Sequence, residues 1–377
     1  MSSRNIFFTI ISSLIMIVGN SCQSSSDYYL IAGTYTKTDS KGIYLYHFNV
    51  ESGEFKLVSS TESANNPSFI ALAGNNLYAV NETGGENPGS VSAYSFDKVN
   101  DRLTFLNAHP SGGDAPCYIT VSDDKKWVVV GNYSGGNFSV LPVNDDGSLS
   151  AAIQTIQHEG SGPNKDRQND PHVHSTMFSP DNQYLLVTDL GLDKIMVYKF
   201  DTESMKPVSD TPVSSVAVTP GSGPRHIAFG KNGKFVYLVR ELDNRANVFS
   251  FNDGELKQIQ EVPRHPDGNS LKMDGAEVVV SPDNRFLYIS NRGDENSLSI
   301  FSIDETTGKL KAIGYESVGG RSPRNFIIDP TGNFLLVANQ NSNNITIFKR
   351  DKETGQIKKT DLEIEIPMPV FLAMKPK

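Results

Sequence analysis

Cysteine is nearly absent from this 377-residue chain, which carries only Cys22 and Cys117. Cys22 lies in the N-terminal segment, so no disulfide can form within the rest of the chain. Cys117 has an apolar flank, and core filling is its expected role. Positive charge is also short: 34 Lys and Arg stand against 43 Asp and Glu, a formal net charge of -9. Gripping a phosphate backbone requires a basic surface, so nucleic acid is excluded as a partner, although a local basic pocket is not. Low-complexity tracts are missing, and no helical pattern runs longer than a turn or two. There is no H-E-x-x-H and no complete EF-hand pattern. The glycine-rich "NETGGENPG" and "NYSGGN" precede no helix, so they are not phosphate loops. His172 and His174 in "DPHVH" share one side of a strand, but no third ligand has a recognisable spacing, so neither a metal nor a cofactor is expected.

One apolar stretch does stand out. Ile6 to Val18 is 13 residues interrupted only by Thr9, Ser12 and Ser13, with Arg4 ahead of it. A membrane span needs roughly 20 residues, so this is the core of an export signal. The following "VGNSCQSSS" resembles a bacterial lipoprotein signal, in which Cys22 would become the lipid-modified N-terminus. The expected layout is a signal over 1–22, a short linker over 23–27 and one domain over 28–377. Membrane contact is expected only through that lipid, with the protein exported to the periplasm or its membrane. No oligomeric state is implied.

A repeat fills the domain. "FSPDNQYLLVTDLGLDKIMVYKF" from Phe178, "VSPDNRFLYISNRGDENSLSIFSI" from Val280 and "IDPTGNFLLVANQNSNNITIFKR" from Ile328 each read as strand, tight turn, apolar strand, polar loop and alternating strand. A further hairpin adds an outer strand. Copies every 46 to 56 residues, with four short strands each, predict a seven-bladed β-propeller, all-β, rather than a two-domain sandwich. The first copy lacks its inner strand. "PMPVFLAM" near the C-terminus resembles the missing strand and is expected to close the ring, leaving no open edge.

In such a blade the start of the inner strand and the end of the second strand lie on the same face. The opposite face carries only turns such as "SPDN", "DPTG" and "GKNG". Aligned on those turns, inner strands begin with Ser68, Cys117, His174, Arg225, Ala276 and Arg324, followed by Phe69, Tyr118, Ser175, His226, Glu277 and Asn325. Second strands end at Thr34, Asn81, Asn132, Asp189, Arg240, Asn291 and Asn339, and are followed by residues that include Glu82, Glu241, Arg292 and Gln340. Asn and Asp recur at the strand ends and are expected to bind loop backbone. Arg225, Glu241, Arg292 and Arg324 differ from their counterparts in most blades. Buried charge is costly unless paired or used, so the asymmetry marks a site, against the alternative of channel-lining ion pairs.

The phrases "PHVHSTMFSPDNQYLLVTDLG", "GSGPRHIAF" with "VRELDN", "AEVVVSPDNRFLYISNRG" and "SPRNFIIDPTGNFLLVANQ" resemble the seven-bladed propeller lactonase family from Tyr28 onward. That family includes bacterial propeller-type 6-phosphogluconolactonases and fungal carboxy-muconate lactonising enzymes. The resemblance implies hydrolysis of a small anionic sugar lactone without an obligatory metal. It puts the catalytic groups at His174, Arg225, Glu241 and Arg292. Val173 stands where the family has proline between two histidines, and Arg240 replaces asparagine before Glu241; both departures bear on substrate.

Opening a lactone requires a base for water and a positive group for the developing oxyanion. Glu241 or His174 can be the base; Arg225 and Arg292 can hold the oxyanion or an anionic substituent. His172, His226, Glu277, Arg324, Gln340 and Glu82 are expected to line the substrate site. Strict strand alternation turns His226 away from Arg225, towards the adjacent blade. Two competing readings are a non-catalytic, surface-anchored propeller that binds carbohydrate or protein, and a muconate-type cycloisomerase.

Overall fold

The computed structural model describes residues 26–61, 64–266 and 272–377. The expected export signal, most of the linker and Cys22 lie outside the described residues. Among them the strands assemble into seven four-stranded antiparallel sheets, and none forms a helix. Six sheets use four strands consecutive in sequence. The remaining one joins Asp27–Thr34, Ile43–Asn49 and Phe55–Thr61 to Pro369–Pro376, the segment expected to close the ring. Tyr28 to Thr34 pair antiparallel with Pro376 to Pro369.

The second strand of each blade reads as a continuous apolar run because both of its faces are buried against neighbours. In Phe235–Arg240, Tyr237 and Val239 pack with Val278, Leu287 and Ile289 of blade six. Val236 and Leu238, alternating with them, pack with Leu186, Ile195 and Val197 of blade four. The core therefore lies between blades, as a ring of interfaces rather than one central mass. At roughly 1.5–3 kcal/mol for each large apolar side chain removed from water, these interfaces supply the main stabilisation.

The face opposite the site carries the repeated tight turns. Their closing residues sit in the left-handed region, with φ of 53° at Asn182, 60° at Asn284, 70° at Gly233 and 74° at Gly332. Only Gly, Asn and Asp enter that region readily, which accounts for the recurring Asn or Gly.

The inner strands depart from ideal pairing at their starts. The register skips one residue between Pro116 and Tyr118, Val173 and Ser175, Pro224 and His226, and Pro323 and Asn325. The skipped residues are Cys117, His174, Arg225 and Arg324. A β-bulge of this kind breaks the two-residue alternation, so two successive side chains can face the axis.

Candidate active site

The opening of blade five shows how one side chain is delivered. Gly223 has a φ of 65°, and a Cβ there would come within 2.7 Å of Leu242. Its N–H donates to Asp193 Oδ1 at 2.8 Å, while its carbonyl accepts from Glu241 N at 2.7 Å. The turn thereby fixes Arg225, on the bulge, and Glu241, at the end of the neighbouring strand. Arg225 Nε donates to Glu241 Oε2 at 2.9 Å, and one terminal nitrogen donates to the Ala276 carbonyl at 2.6 Å. The Arg225 side chain is only 1% exposed. Burial, then the guanidiniums of Arg292 and Arg324, push its pKa down to about 10.

Glu241 is the hub. Besides Arg225, its carboxylate meets Arg292 at 3.3 Å, His174 Nε2 at 3.5 Å and Arg167 at 2.7 Å. Burial alone would raise its pKa, but Arg292, the His174 contact and Arg225 outweigh it and hold Glu241 well below the usual carboxylate range. His174 is driven the other way: burial, and then Arg225, keep the imidazole neutral. Its Nδ1 lies 3.7 Å from the Cys117 sulfur, and burial pushes that thiol up, so it stays protonated. Arg292 donates to the Gly275 carbonyl at 3.1 Å, while its buried Nε–H has no acceptor.

His226 does not turn away from Arg225. Its ring nitrogens lie 3.2 and 3.3 Å from the Arg225 guanidinium, because the bulge at Arg225 cancels the expected alternation. It also reaches the adjacent blade, as expected, where Nδ1 is 3.0 Å from Glu277 Oε1. Glu277 accepts from Asn325 Nδ2 at 2.6 Å. Burial raises the Glu277 pKa to about 7 against the opposing pull of Arg225. The His226 ring stands edge-on to Phe69, Tyr118 and His174, so the axis is filled at this level.

The other expected residues spread around the mouth. Glu82 accepts from the Tyr35 hydroxyl at 2.9 Å and lies 3.9 Å from Arg324, which sits over the Tyr35 ring. His172 stacks on Tyr133 with centroids 4.3 Å apart, and His174 meets the same ring edge-on. Gln340 donates its backbone N–H to the Ser322 carbonyl at 3.0 Å. Arg240 points away from the site, into Asp243, Glu261 and Asn247. Some strand-end amides serve loop backbone as expected: Asn81 Oδ1 accepts from Asn65 N, and Asn132 Nδ2 donates to the Ser111 carbonyl; Asn291 and Asn339 instead donate to hydroxyls of Ser297, Ser299 and Thr346. Among the described residues, no three of His, Cys, Asp and Glu are grouped to hold a metal ion.

Arg167 was not foreseen. It lies in the long connection from Gln154–Gln157 to Val173–Phe178, pinned by the fully buried Gln168. Gln168 Nε2 donates to the Leu190 carbonyl and to Asp193 Oδ1, both at 2.8 Å. The signal available was the unusual length of that connection.

With this geometry in place, comparison with known proteins is decisive. The sequence matches the profile described as "Lactonase, 7-bladed beta-propeller" over residues 29–374. The chain belongs to this lactonase family. It is similar to the 6-phosphogluconolactonase of Bacillus subtilis (strain 168), 36% identical over 342 residues, covering 90% of this chain and 95% of that one. The 6-phosphogluconolactonase of Formosa agariphila is 38% identical over 344 residues, covering 89% and 96%. Among solved lactonase structures, the periplasmic gluconolactonase of Pseudomonas aeruginosa superposes with a TM-score of 0.88 at 38% identity, covering 93% and 99%.

Proposed function

We infer that this chain is a lactone hydrolase acting on a sugar lactone, with the chemistry centred on Glu241. The observation that carries the reading is one buried carboxylate contacted by three guanidiniums and a histidine at one mouth of the channel. A lactone carbonyl gains negative charge when water attacks it, and fixed cationic donors in a dry site stabilise that charge.

In the proposed sequence, Glu241 accepts a proton from water as its oxygen bonds to the lactone carbonyl carbon. The developing oxyanion takes the unused Nε–H of Arg292, and Arg225 supplies a second, immobile positive charge. Collapse breaks the ring C–O bond, and the proton held by Glu241 passes to the departing ring oxygen. The product is a hydroxy acid. His174 acts as a positioning residue, since one of its nitrogens faces Glu241 and the other faces Cys117. A carboxylate of low pKa is a weak base, which suits an ester as reactive as a lactone better than an amide.

Two relatives are named 6-phosphogluconolactonases and a third is a periplasmic gluconolactonase. An aldonolactone is therefore the proposed substrate class. We further propose export through the N-terminal signal and lipidation at Cys22, consistent with the periplasmic relative. The direct test is a lactone panel with the protein from residue 23 onward, following acid release. Turnover of gluconolactone or its 6-phosphate well above the uncatalysed rate is expected. A flat response across the panel would remove the assignment.

A further inference from the structure

Arg225 meets Glu241 through its Nε and His226 through a terminal nitrogen. Beyond His226 lies a second buried acid, Glu277, which the proposed reaction does not use. Around the same axis Phe371, Phe69 and Tyr118 pack ring against ring, with centroids 4.3 and 4.0 Å apart. Blades five, six and seven instead supply His226, Glu277 and Asn325, which are 3%, 8% and 4% exposed. A ring fills such a space at lower cost than an acid, because a buried carboxyl must be stripped of water.

These polar side chains form an unbroken chain with Arg225. One Arg225 terminal nitrogen lies 3.2 and 3.3 Å from the two ring nitrogens of His226. His226 Nδ1 is 3.0 Å from Glu277 Oε1, and Glu277 Oε2 accepts from Asn325 Nδ2 at 2.6 Å. Asn325 Oδ1 in turn accepts from Leu372 N at 2.9 Å. Leu372 belongs to Pro369–Pro376, the strand that closes the ring.

A bulge sets Glu277 in place. The register passes from Gly275 opposite Asn291 to Val278 opposite Ile289, so Ala276 and Glu277 together face Ser290. Glu277 N donates to Ser290 Oγ at 3.0 Å, and Glu277 Oε1 also accepts from Val278 N at 3.0 Å. The same bulge delivers the Ala276 carbonyl to Arg225 at 2.6 Å. The Arg225 guanidinium is thus held by Glu241 and by one segment of blade six, which grips it both directly and through His226.

We propose that Glu277 and Asn325 are positioning residues for lactone opening. Through His226 they keep the Arg225 guanidinium in register with Glu241, and the closing strand anchors the far end of the chain. The proposal rests on the lactonase reading. A displacement of about 1 Å at a reacting group costs on the order of 100-fold in rate, so buried hydrogen bonds that end on Arg225 bear on kcat more than on substrate binding.

The test cuts the chain at Asn325. Asn325→Leu keeps the volume and removes both hydrogen bonds. On gluconolactone or its 6-phosphate, kcat is expected to fall about tenfold or more while KM changes by less than about threefold. In an Arg225→Lys background the same substitution should cost less than about threefold, because its effect passes through Arg225. An unchanged kcat, a loss confined to KM, or full additivity with Arg225→Lys overturns the proposal. Combining Glu277→Gln with Asn325→Asp reverses donor and acceptor between the two side chains and still leaves an acceptor for Leu372 N. This pair should recover most of the kcat lost in Asn325→Leu; no recovery overturns the positioning role. If Asn325→Leu does not fold, Asn325→Ser, too short to reach Glu277, carries the same comparison. Crystal structures of the unaltered protein and the Asn325 variant add a readout independent of turnover, with the Arg225 guanidinium expected to move by about 0.5 Å or more. If no lactone is hydrolysed, the lactonase reading fails and this displacement alone decides: a shifted guanidinium upholds the chain of contacts, and an unmoved one overturns it.

Discussion

Replacing Glu241 with Gln removes one negative charge and almost no volume, so its consequences are electrostatic. Three guanidiniums and an imidazole converge on this carboxylate at 2.7 to 3.5 Å. At an effective dielectric near 20, each guanidinium contact is worth about 5 kcal/mol of attraction, offset by repulsion among the arginines and by desolvation. Neutralising the hub leaves the repulsion unopposed. Arg167, 37% exposed, can swing into water, but Arg225, 1% exposed, cannot. The net cost is therefore set near that of stripping one partner from a buried pair, about 3–5 kcal/mol. With an unfolding entropy of about 2.1 cal/mol/K per residue over ~350 residues, Tm falls by roughly 4–7 °C. Turnover of a lactone is expected to drop by about 10²–10⁴-fold, the usual worth of a general base. The variant should also acquire an anion site where the carboxylate stood. Inorganic phosphate at about 100 times its Kd then restores about 2.7 kcal/mol, and it stabilises the variant more than the parent. Thermal melts with and without phosphate, paired with acid-release kinetics, read both effects. A variant that melts with the parent, or that phosphate raises no further than the parent, would refute the charge argument.

Glu277→Gln tests the inner pair. A carboxyl raised from 4.5 to about 7 in the fold keeps its proton there while the unfolded chain loses it, so stability declines as pH rises through that window. The variant should match the parent near pH 4.5 and exceed it by about 3 kcal/mol above pH 7, measured by denaturant titration at several pH values. Equal pH dependence in the two proteins would contradict a raised Glu277. For the N-terminal proposal, Cys22→Ala in the full chain should move the protein from membrane to soluble fractions while export persists. Unchanged fractionation would show that Cys22 carries no anchor.

Much of the ring could be read from periodicity, because each blade repeats the same demand for two apolar faces and a left-handed turn. The seam could be read as well, since "PMPVFLAM" has an inner-strand pattern and no blade of its own. Alignment on the turns also brought His174, Arg225, Glu241 and Arg292 to one mouth. It failed at His226, where a one-residue bulge, invisible in composition, reverses the side-chain direction. Arg167 was hidden for another reason: it lies in a connection outside the repeat, so no sister blade supplies a register for it. Arg240, a departure from the family pattern, proved to serve a buried tie to Asp243 and Glu261.

The seam has a bearing on how the molecule is made. Six blades can assemble from neighbours in sequence, whereas the remaining one must bring Thr34 and Pro369 together. Closing a loop of roughly 335 residues costs about 5 kcal/mol in chain entropy by the logarithmic rule, against about 1 kcal/mol for a hairpin of a few residues. Until that contact forms, blade one has a bare edge and the blades flanking the gap each lack a partner face. The ring is therefore a latch as much as a scaffold: one distant pairing gives the first blade its inner strand, and through it the two flanking blades their neighbour.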